Sequence, residues 1–355
     1  MSHAFRDLLK KVGSGAHTAK DLTRPEAAAA THMMLMQEAT PAQIGAFMIA
    51  HRIKRPIPQE LAGMLDAYDQ LGPKFAPVQS TYPVTVLCSP YDGRSRTAPI
   101  SPLTALILTA AGVPVIMHGG DRMPTKQGVP FIDIWRGLDL PLHHLALPQA
   151  QQLFERTGFG FIYIPQHFPA ANAITPYRDQ IGKRPPFATI ELMWSPYDGD
   201  AHIVTGFVHP PTEEMARATY TLRGNHFYTM VKGLEGSCDI PRARTAIIAL
   251  GKPDGTGFER LLLHPRDYGF GGEDVPLKDT PQLVKAMQQV LSGQASELMR
   301  SAIWNGGFYL WRCGVCKTIE SGLVMAETLL INHTVAEKLE AVRSAIAELT
   351  LVTLP

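Results

Sequence analysis

The stretch VTVLCSPYDGRSRTAPISPLTALILTAAGVPVIM, residues 84–117, decides the fold. Five apolar or β-branched residues at 84–88 give way to a loop with turn chemistry, Pro90 followed by Asp92-Gly93. Ser101-Pro102 then opens an apolar run of helical length that stops at Gly112, and 113–117 is a second strand-length apolar run. Strand, loop, helix and strand in succession make a βαβ unit. The same alternation continues with FGFIYI (159–164), IVTGFV (203–208) and TAIIAL (245–250), separated by helical patterns at 148–157 and 211–222. Strands apolar on both faces with helices between them predict an α/β domain around a mostly parallel sheet covered on both sides. The pentapeptide Ser89–Gly93 recurs at Ser195–Gly199, which reads as two similar turns at the mouth of that sheet.

Ahead of this unit the period changes. Thr23-Arg-Pro-Glu26 and Thr40-Pro-Ala-Gln43 are capping boxes with proline in the first helical turn, and Pro58 opens a further helix ending near Leu71-Gly72. Apolar residues such as Ile44, Phe47 and Met48, then Leu61, Met64 and Leu65, recur at three- and four-residue spacing. Residues 1–75 therefore read as an N-terminal helical bundle domain, and Gly72-Pro-Lys-Phe-Ala-Pro77 as the hinge to a larger α/β domain formed by 80–167 and 185–355. The polar helical insert 168–184 is expected to return to the bundle. From 279 onward the pattern is helical again, with Thr334 as the expected cap of a last amphipathic helix packed on the sheet.

Composition narrows the function classes. Lys+Arg 33 against Asp+Glu 32 in 355 residues leaves a net charge of +1, so any anion site must be local. With 45% hydrophobic residues the chain has ample material for a large core, yet no apolar run approaches the roughly 18 residues of a membrane span. The N-terminal sequence has no secretory pattern, which makes the cytoplasm the expected compartment. Four cysteines do not form a disulfide framework, and Cys313-Gly-Val-Cys316, with no second ligand pair, reads as two thiols near a helix end.

In parallel sheets ligands bind beyond the carboxyl ends of the strands, and three loops there carry chemistry. The first holds Asp92, Gly93, Arg94 and Arg96 ahead of a helix that Ser101 is expected to cap; two guanidinium groups at a helix N-terminus suit a phosphate. The second, His118-Gly-Gly-Asp-Arg-Met-Pro-Thr-Lys126, joins the flexible Gly119 to His118, Arg122 and Lys126. In the third, Lys232-Gly-Leu-Glu-Gly-Ser-Cys-Asp239, Glu235 and Asp239 have the spacing to hold magnesium through waters.

The order of these elements resembles the anthranilate phosphoribosyltransferase family, glycosyltransferases that join a phosphoribosyl group to an aromatic amine in tryptophan synthesis. The likeness runs through His118-Gly119 with Lys126 and Gly128, Pro176-Tyr-Arg-Asp-Gln-Ile-Gly182, Pro265-Arg-Asp-Tyr-Gly269 and Asn305. It implies a homodimer through the helical domain and phosphoribosyl pyrophosphate with Mg2+ in the hinge cleft. It also implies His118 and Arg178 on the acceptor side, with Asp92, Arg96 and Lys126 positioning the donor. Four motifs depart from the pattern. The family's Gly-Thr-Gly-Gly-Asp loop is Cys88-Ser-Pro-Tyr-Asp92 here, its Asn-Ile-Ser-Thr is Pro99-Ile-Ser-Pro102, its Gly-Asn-Arg-Ser is Gly119-Gly-Asp-Arg122, and its magnesium-binding Asp-Glu is Cys238-Asp239. The altered first loop is similar to that of a divergent branch reading Pro-Ser-Tyr-Asn-Gly-Ala-Arg-Lys. That second resemblance implies a non-enzymatic dimer binding single-stranded nucleic acid in a basic groove, with Arg94, Arg96, Arg122 and Lys126 on phosphates and Tyr91 stacked on a base.

Overall fold

The computed structural model describes residues 3–15 and 17–351. Four helices, α1 (His3–Gly13), α2 (Arg24–Leu35), α3 (Pro41–Lys54) and α4 (Pro58–Leu71), form the N-terminal bundle. Thr23 and Thr40 close the expected capping boxes with Glu26 and Gln43, satisfying orphan amides at both helix starts. The α/β domain follows as β1 (Val84–Leu87), α5 (Ser101–Ala110), β2 (Val115–Gly119), α6 (Phe131–Gly137), α7 (Leu147–Thr157) and β3 (Phe159–Tyr163). An insert of short helices, α8 (Ile164–His167), α9 (Pro169–Asn172), α10 (Thr175–Ile181) and α11 (Phe187–Ile190), precedes β4 (Ala201–Gly206), α12 (Pro210–Arg223) and β5 (Tyr228–Val231). Strands β6 (Ala246–Gly251) and β7 (Phe258–Leu263) and helices α13 (Thr280–Leu291), α14 (Glu297–Arg312), α15 (Ile319–Ile331) and α16 (Thr334–Leu351) complete the chain.

The sheet has seven strands in the order β3-β2-β1-β4-β5-β6-β7. From β3 to β5 every pairing is parallel. The chain winds outward from β1 to β3 on one side and from β4 to β5 on the other, so the crevice between β1 and β4 is the point where strand order reverses and a ligand site is expected. Edge strands β6 and β7 run antiparallel. Between β5 and β6 the chain has only a single 3-10 turn, Leu234–Gly236, too short to carry a parallel crossover, and Pro253-Asp254-Gly255 turns β6 directly into β7. The run at 245–250 is thus an antiparallel strand, whose amino end lies at the carboxyl edge of the parallel strands.

Helix α5 is buried from Ser101 to Thr109, because α14 and α16 pack over it. Helix α16 packs chiefly on α5, α7 and α15, as an outer layer. Thr334 is its first helical residue and not its cap, and Ser101 is likewise the first residue of α5, with Ile100 in the cap position. The repeated pentapeptides lie at opposite edges of the sheet: Ser89–Gly93 leaves the carboxyl end of β1, whereas 195–199 precedes β4 and bridges to Phe75. In the insert, α10 packs on α3, Tyr177 donates to Gln37 at 2.6 Å, and Arg52 of α3 donates to the Arg184 carbonyl at 2.9 Å. Among the described residues no helix is long and apolar enough to cross a membrane.

Candidate active site

Loops leaving β1, β2 and β5 converge over the β1/β4 crevice. The first two are zipped together by main chain: Gly128 donates to the Asp92 carbonyl at 2.9 Å, and Arg94 and Val129 exchange hydrogen bonds at 3.1 and 2.7 Å. Gly93, with φ +75°, makes this approach possible, since a Cβ there would lie 2.6 Å from the Gly128 carbonyl carbon. Lys126 reaches over the joint and donates to the Gly93 carbonyl at 3.0 Å.

A cavity of about 640 Å³ opens beside these loops. Arg96, Lys126, Arg184, Lys232 and Arg244 line it, against the carboxylates of Asp92 and Glu235. Five cations against two acids give a strongly positive pocket in a chain of net charge +1. Among the described residues neither Lys232 nor Arg244 is paired with a carboxylate, and Arg244 is fixed by donating to the Lys232 and Gly233 carbonyls at 2.9 and 3.3 Å. Asp92 is 3% exposed, and neither of its carboxylate oxygens accepts a hydrogen bond. Its ion-pair partner is Arg184, with Nε at 3.3 Å but outside hydrogen-bonding geometry. A buried carboxylate left without donors carries a desolvation cost, and Asp92 stands in the wall of this cavity. A second cavity of about 280 Å³ adjoins the first through Arg184, Val208 and Glu235, and Pro90, Pro185, Ala188, Leu192 and Phe207 give it apolar walls.

Of the residues singled out from the sequence, Asp92, Arg96, Lys126 and Glu235 meet at this cavity. Arg94 does not. Its guanidinium is 1% exposed and points inward, donating to Glu235 Oε1 at 3.3 Å, Ser237 Oγ at 2.7 Å, Asp239 Oδ2 at 2.6 Å and Thr97 Oγ1. Ser101, expected to face a phosphate, is buried and donates to Asp239 Oδ1 at 2.5 Å, while the Ile100 amide takes Asp239 Oδ2 at 3.0 Å. Arg122 is held outside the cavity by Asp133 at 3.1 Å, with further donations to Gln127 and Thr280. Glu235 accepts from the Arg96 and Thr97 amides at 2.9 Å, from Ser95, and from Lys126. These donors hold its acid well below the usual carboxylate range despite its burial. The carboxylates expected to hold magnesium are therefore saturated by the chain's own donors, and the residues present do not fit a divalent cation.

His118 and Gly119 close β2, two residues beyond the expected strand end, and line a pocket of about 10 Å³, too small for an aromatic ring. His118 is buried; its Nδ1 is 2.6 Å from Tyr91 Oη, its Nε2 is 3.5 Å from Cys88 Sγ, and Trp194 packs edge-on at 5.4 Å. Tyr91, expected as an exposed stacking platform, is 5% exposed and belongs to this cluster. Burial lowers the His118 pKa to about 3. The imidazole is therefore neutral in the fold but protonates below about pH 6.5 in the unfolded chain, where the unfolded state binds more protons. Its contribution to stability is complete above that pH and is lost as pH falls toward 3. We expect urea unfolding of the wild type to weaken on acidification from pH 6.5 to 4 more steeply than that of His118→Gln, by up to about 1.4 kcal/mol per pH unit. Parallel pH profiles would show that this imidazole is not the buried neutral group described.

Arg178 is also inside: it pairs with Glu191, both side chains being 4% exposed, and touches Met123 Sδ at 2.8 Å. Arg184, Lys232 and Arg244 were not singled out from the sequence. Lys232 lies at the carboxyl end of the four-residue parallel strand β5, and Arg244, just ahead of β6, reaches the site because β6 runs antiparallel.

The structure joins a doubly wound sheet to a helical bundle, with a cationic cavity at the switch point. Family models agree: a glycosyl transferase family helical bundle domain matches residues 6–72, and the a/b domain of a glycosyl transferase family matches 92–334. The chain belongs to this glycosyl transferase family. Within it the chain is a divergent, anthranilate phosphoribosyltransferase-like member. It is 27% identical over 343 residues to the anthranilate phosphoribosyltransferase of Geobacillus kaustophilus, covering 95% of this chain and 98% of the relative. It is 28% identical over 342 residues to that of Rhodopseudomonas palustris, covering 95% and 96%. The crystal structure of the Thermus thermophilus enzyme superposes with a TM-score of 0.80 at 20% identity over 96% of this chain and 99% of that one. The Saccharomyces cerevisiae enzyme in complex with PRPP and Mg superposes with a TM-score of 0.81 at 14% identity, covering 97% and 98%.

Proposed function

We propose that the cleft binds a phosphoribosyl-type ligand, with its phosphates among Arg96, Lys126, Arg184, Lys232 and Arg244 and its ribose hydroxyls on Asp92. The observation that carries this reading is Asp92 itself, a buried carboxylate without hydrogen bonds facing a cavity that is otherwise cationic. A simple anion would satisfy the cations and leave Asp92 without hydrogen-bond donors; a phosphorylated sugar brings oxygens for the first and O–H donors for the second. The yeast relative was determined with PRPP, which has this composition.

The adjoining apolar cavity is sized for a single aromatic ring, the acceptor class of the relatives. In such a transfer the amine lone pair bonds to the anomeric carbon, the bond from that carbon to the pyrophosphate oxygen breaks, and the electron pair leaves on pyrophosphate. Negative charge growing on the leaving group is stabilised by preorganised cations in a partly closed site, where one such donor is worth about 3 kcal/mol. Lys232 and Arg244, which pair with no carboxylate among the described residues, already line the cavity where that charge would grow. His209, the imidazole lining the acceptor cavity, is placed to take the amine proton. His118 and Arg178 do not line either cavity and support the site from behind.

Calorimetric titration with phosphoribosyl pyrophosphate tests the binding step. The wild type should bind with an affinity that falls as salt rises, and Lys232→Ala and Arg184→Ala should each weaken it roughly ten- to hundredfold, the value of a hydrogen bond to a charged group. Absence of binding at millimolar ligand, or unchanged affinity in both variants, would overturn the assignment.

A further inference from the structure

The loop after β1 and the loop after β5 leave strands that flank β4, and Arg94 spans the gap between them. Its guanidinium lies between Glu235 and Asp239, the two acids whose spacing suits magnesium. Four of its hydrogen bonds end on side chains of these two loops, and 1% of the residue is exposed. On the cavity side Lys126 closes on the same Glu235. Asp239 has one oxygen on Ser101 and the other on Arg94 and the Ile100 amide, so neither is turned toward solvent. A hard divalent cation needs several oxygens free to converge at about 2.0–2.6 Å, and here each is committed.

We infer that Arg94, backed by Lys126, is a built-in replacement for the divalent cation, and that the cleft takes its diphosphate ligand as the free anion instead of the metal complex. A guanidinium carries a permanent charge and does not exchange with solvent, so the positive centre persists without metal. The second half of this inference rests on the diphosphate reading of the cleft; the first half, the replacement, stands on Arg94 alone.

Mn2+ titrations of the ligand-free protein, followed by electron paramagnetic resonance, test the replacement directly. Wild type should take up no stoichiometric Mn2+ at millimolar concentration, whereas Arg94→Ala, which frees both acids, should bind one per chain and melt at a higher temperature in its presence. Mn2+ uptake by the wild type that disappears in Asp239→Asn would overturn the replacement, as would a folded Arg94→Ala that binds none. If Arg94→Ala does not fold, the wild-type titration still decides. Inorganic pyrophosphate then tests the ligand form. Its affinity for the wild type should be equal or weaker in excess Mg2+ than in chelator, because the metal neutralises charge that the five cations read; tightening by tenfold or more in Mg2+ would overturn the free-anion assignment. Pyrophosphate that binds under neither condition removes the diphosphate reading of the cleft while leaving the Mn2+ result on Arg94 intact.

Discussion

Replacing Arg178 with alanine is expected to destabilise the protein by about 3–5 kcal/mol, the usual cost of stranding one charge of a buried pair. Glu191 would be the stranded group. Its Oε1 rests on the Arg178 guanidinium, its Oε2 has no hydrogen-bond partner, and 4% of the side chain is exposed. The surroundings are apolar: the pair links α10 to the end of α11, which packs on α4, beside a layer in which Tyr68 packs edge-on against Phe168 at 5.2 Å and Trp194 at 5.7 Å. Burial raises the Glu191 pKa from its ordinary 4.5, and Arg178 opposes that rise. Without the arginine the pKa climbs further, so the folded state holds a proton that the unfolded chain has released. Such a group costs nothing below the unfolded pKa and destabilises as pH rises through the folded one. The deficit of Arg178→Ala should therefore be largest at neutral pH and shrink as pH falls toward 4.5. The double replacement Arg178→Met with Glu191→Met should recover most of the loss. Urea unfolding at pH 7 and pH 5 checks both. A loss below about 1 kcal/mol, the value of an exposed pair, would show that the charges are solvated and that Arg178 is free to meet a ligand.

The same residue shows where reading the sequence stops. The pattern at 84–117 suffices for the βαβ unit because strand and helix periods are local properties, and the capping boxes at Thr23 and Thr40 form as expected because a cap involves only residues three apart. Strand β5 is only four residues long and carries Thr229, while β7 has Glu259 and Arg260 exposed at the sheet edge, so neither presents an uninterrupted apolar run. Without β5 nothing marks Lys232 as a strand end, and the apolar run at 245–250 carries no sign of its direction, which decides the edge at which Arg244 lies. Arg94 and Arg96 are indistinguishable in a loop two residues apart. The fold separates them, burying one against acids more than 130 positions away and leaving the other's side chain 79% exposed on the cavity. Side-chain direction in a loop is set by distant partners, and no local pattern encodes it.

Gly206→Ala is expected to abolish binding in the cleft and to cost more than the 1–3 kcal/mol, roughly, of ordinary overpacking. Gly206 ends β4 under the loop that carries Lys232, Glu235 and Asp239. A Cβ there would fall 2.1 Å from the Ser237 carbonyl oxygen and 2.3 Å from that of Gly236. Both obstacles are main chain, so no rotamer change relieves the clash, and the loop must lift. Lifting it pulls Glu235 and Asp239 off Arg94, and the cavity loses the wall formed by Lys232 and Gly233. The contrast is Gly119→Ala: that backbone also lies at the carboxyl edge, but a Cβ there meets nothing within 4 Å, so stability should change by no more than about 0.5 kcal/mol. Melting curves for the two variants beside phosphoribosyl pyrophosphate titration of Gly206→Ala make the test. If Gly206→Ala binds as the wild type does, the 232–239 loop moves independently of the ligand and the cation cluster at its base is not the binding surface. If stability falls and binding disappears while circular dichroism keeps its α/β signature, then the close seat of this loop on β4 holds the cations in place.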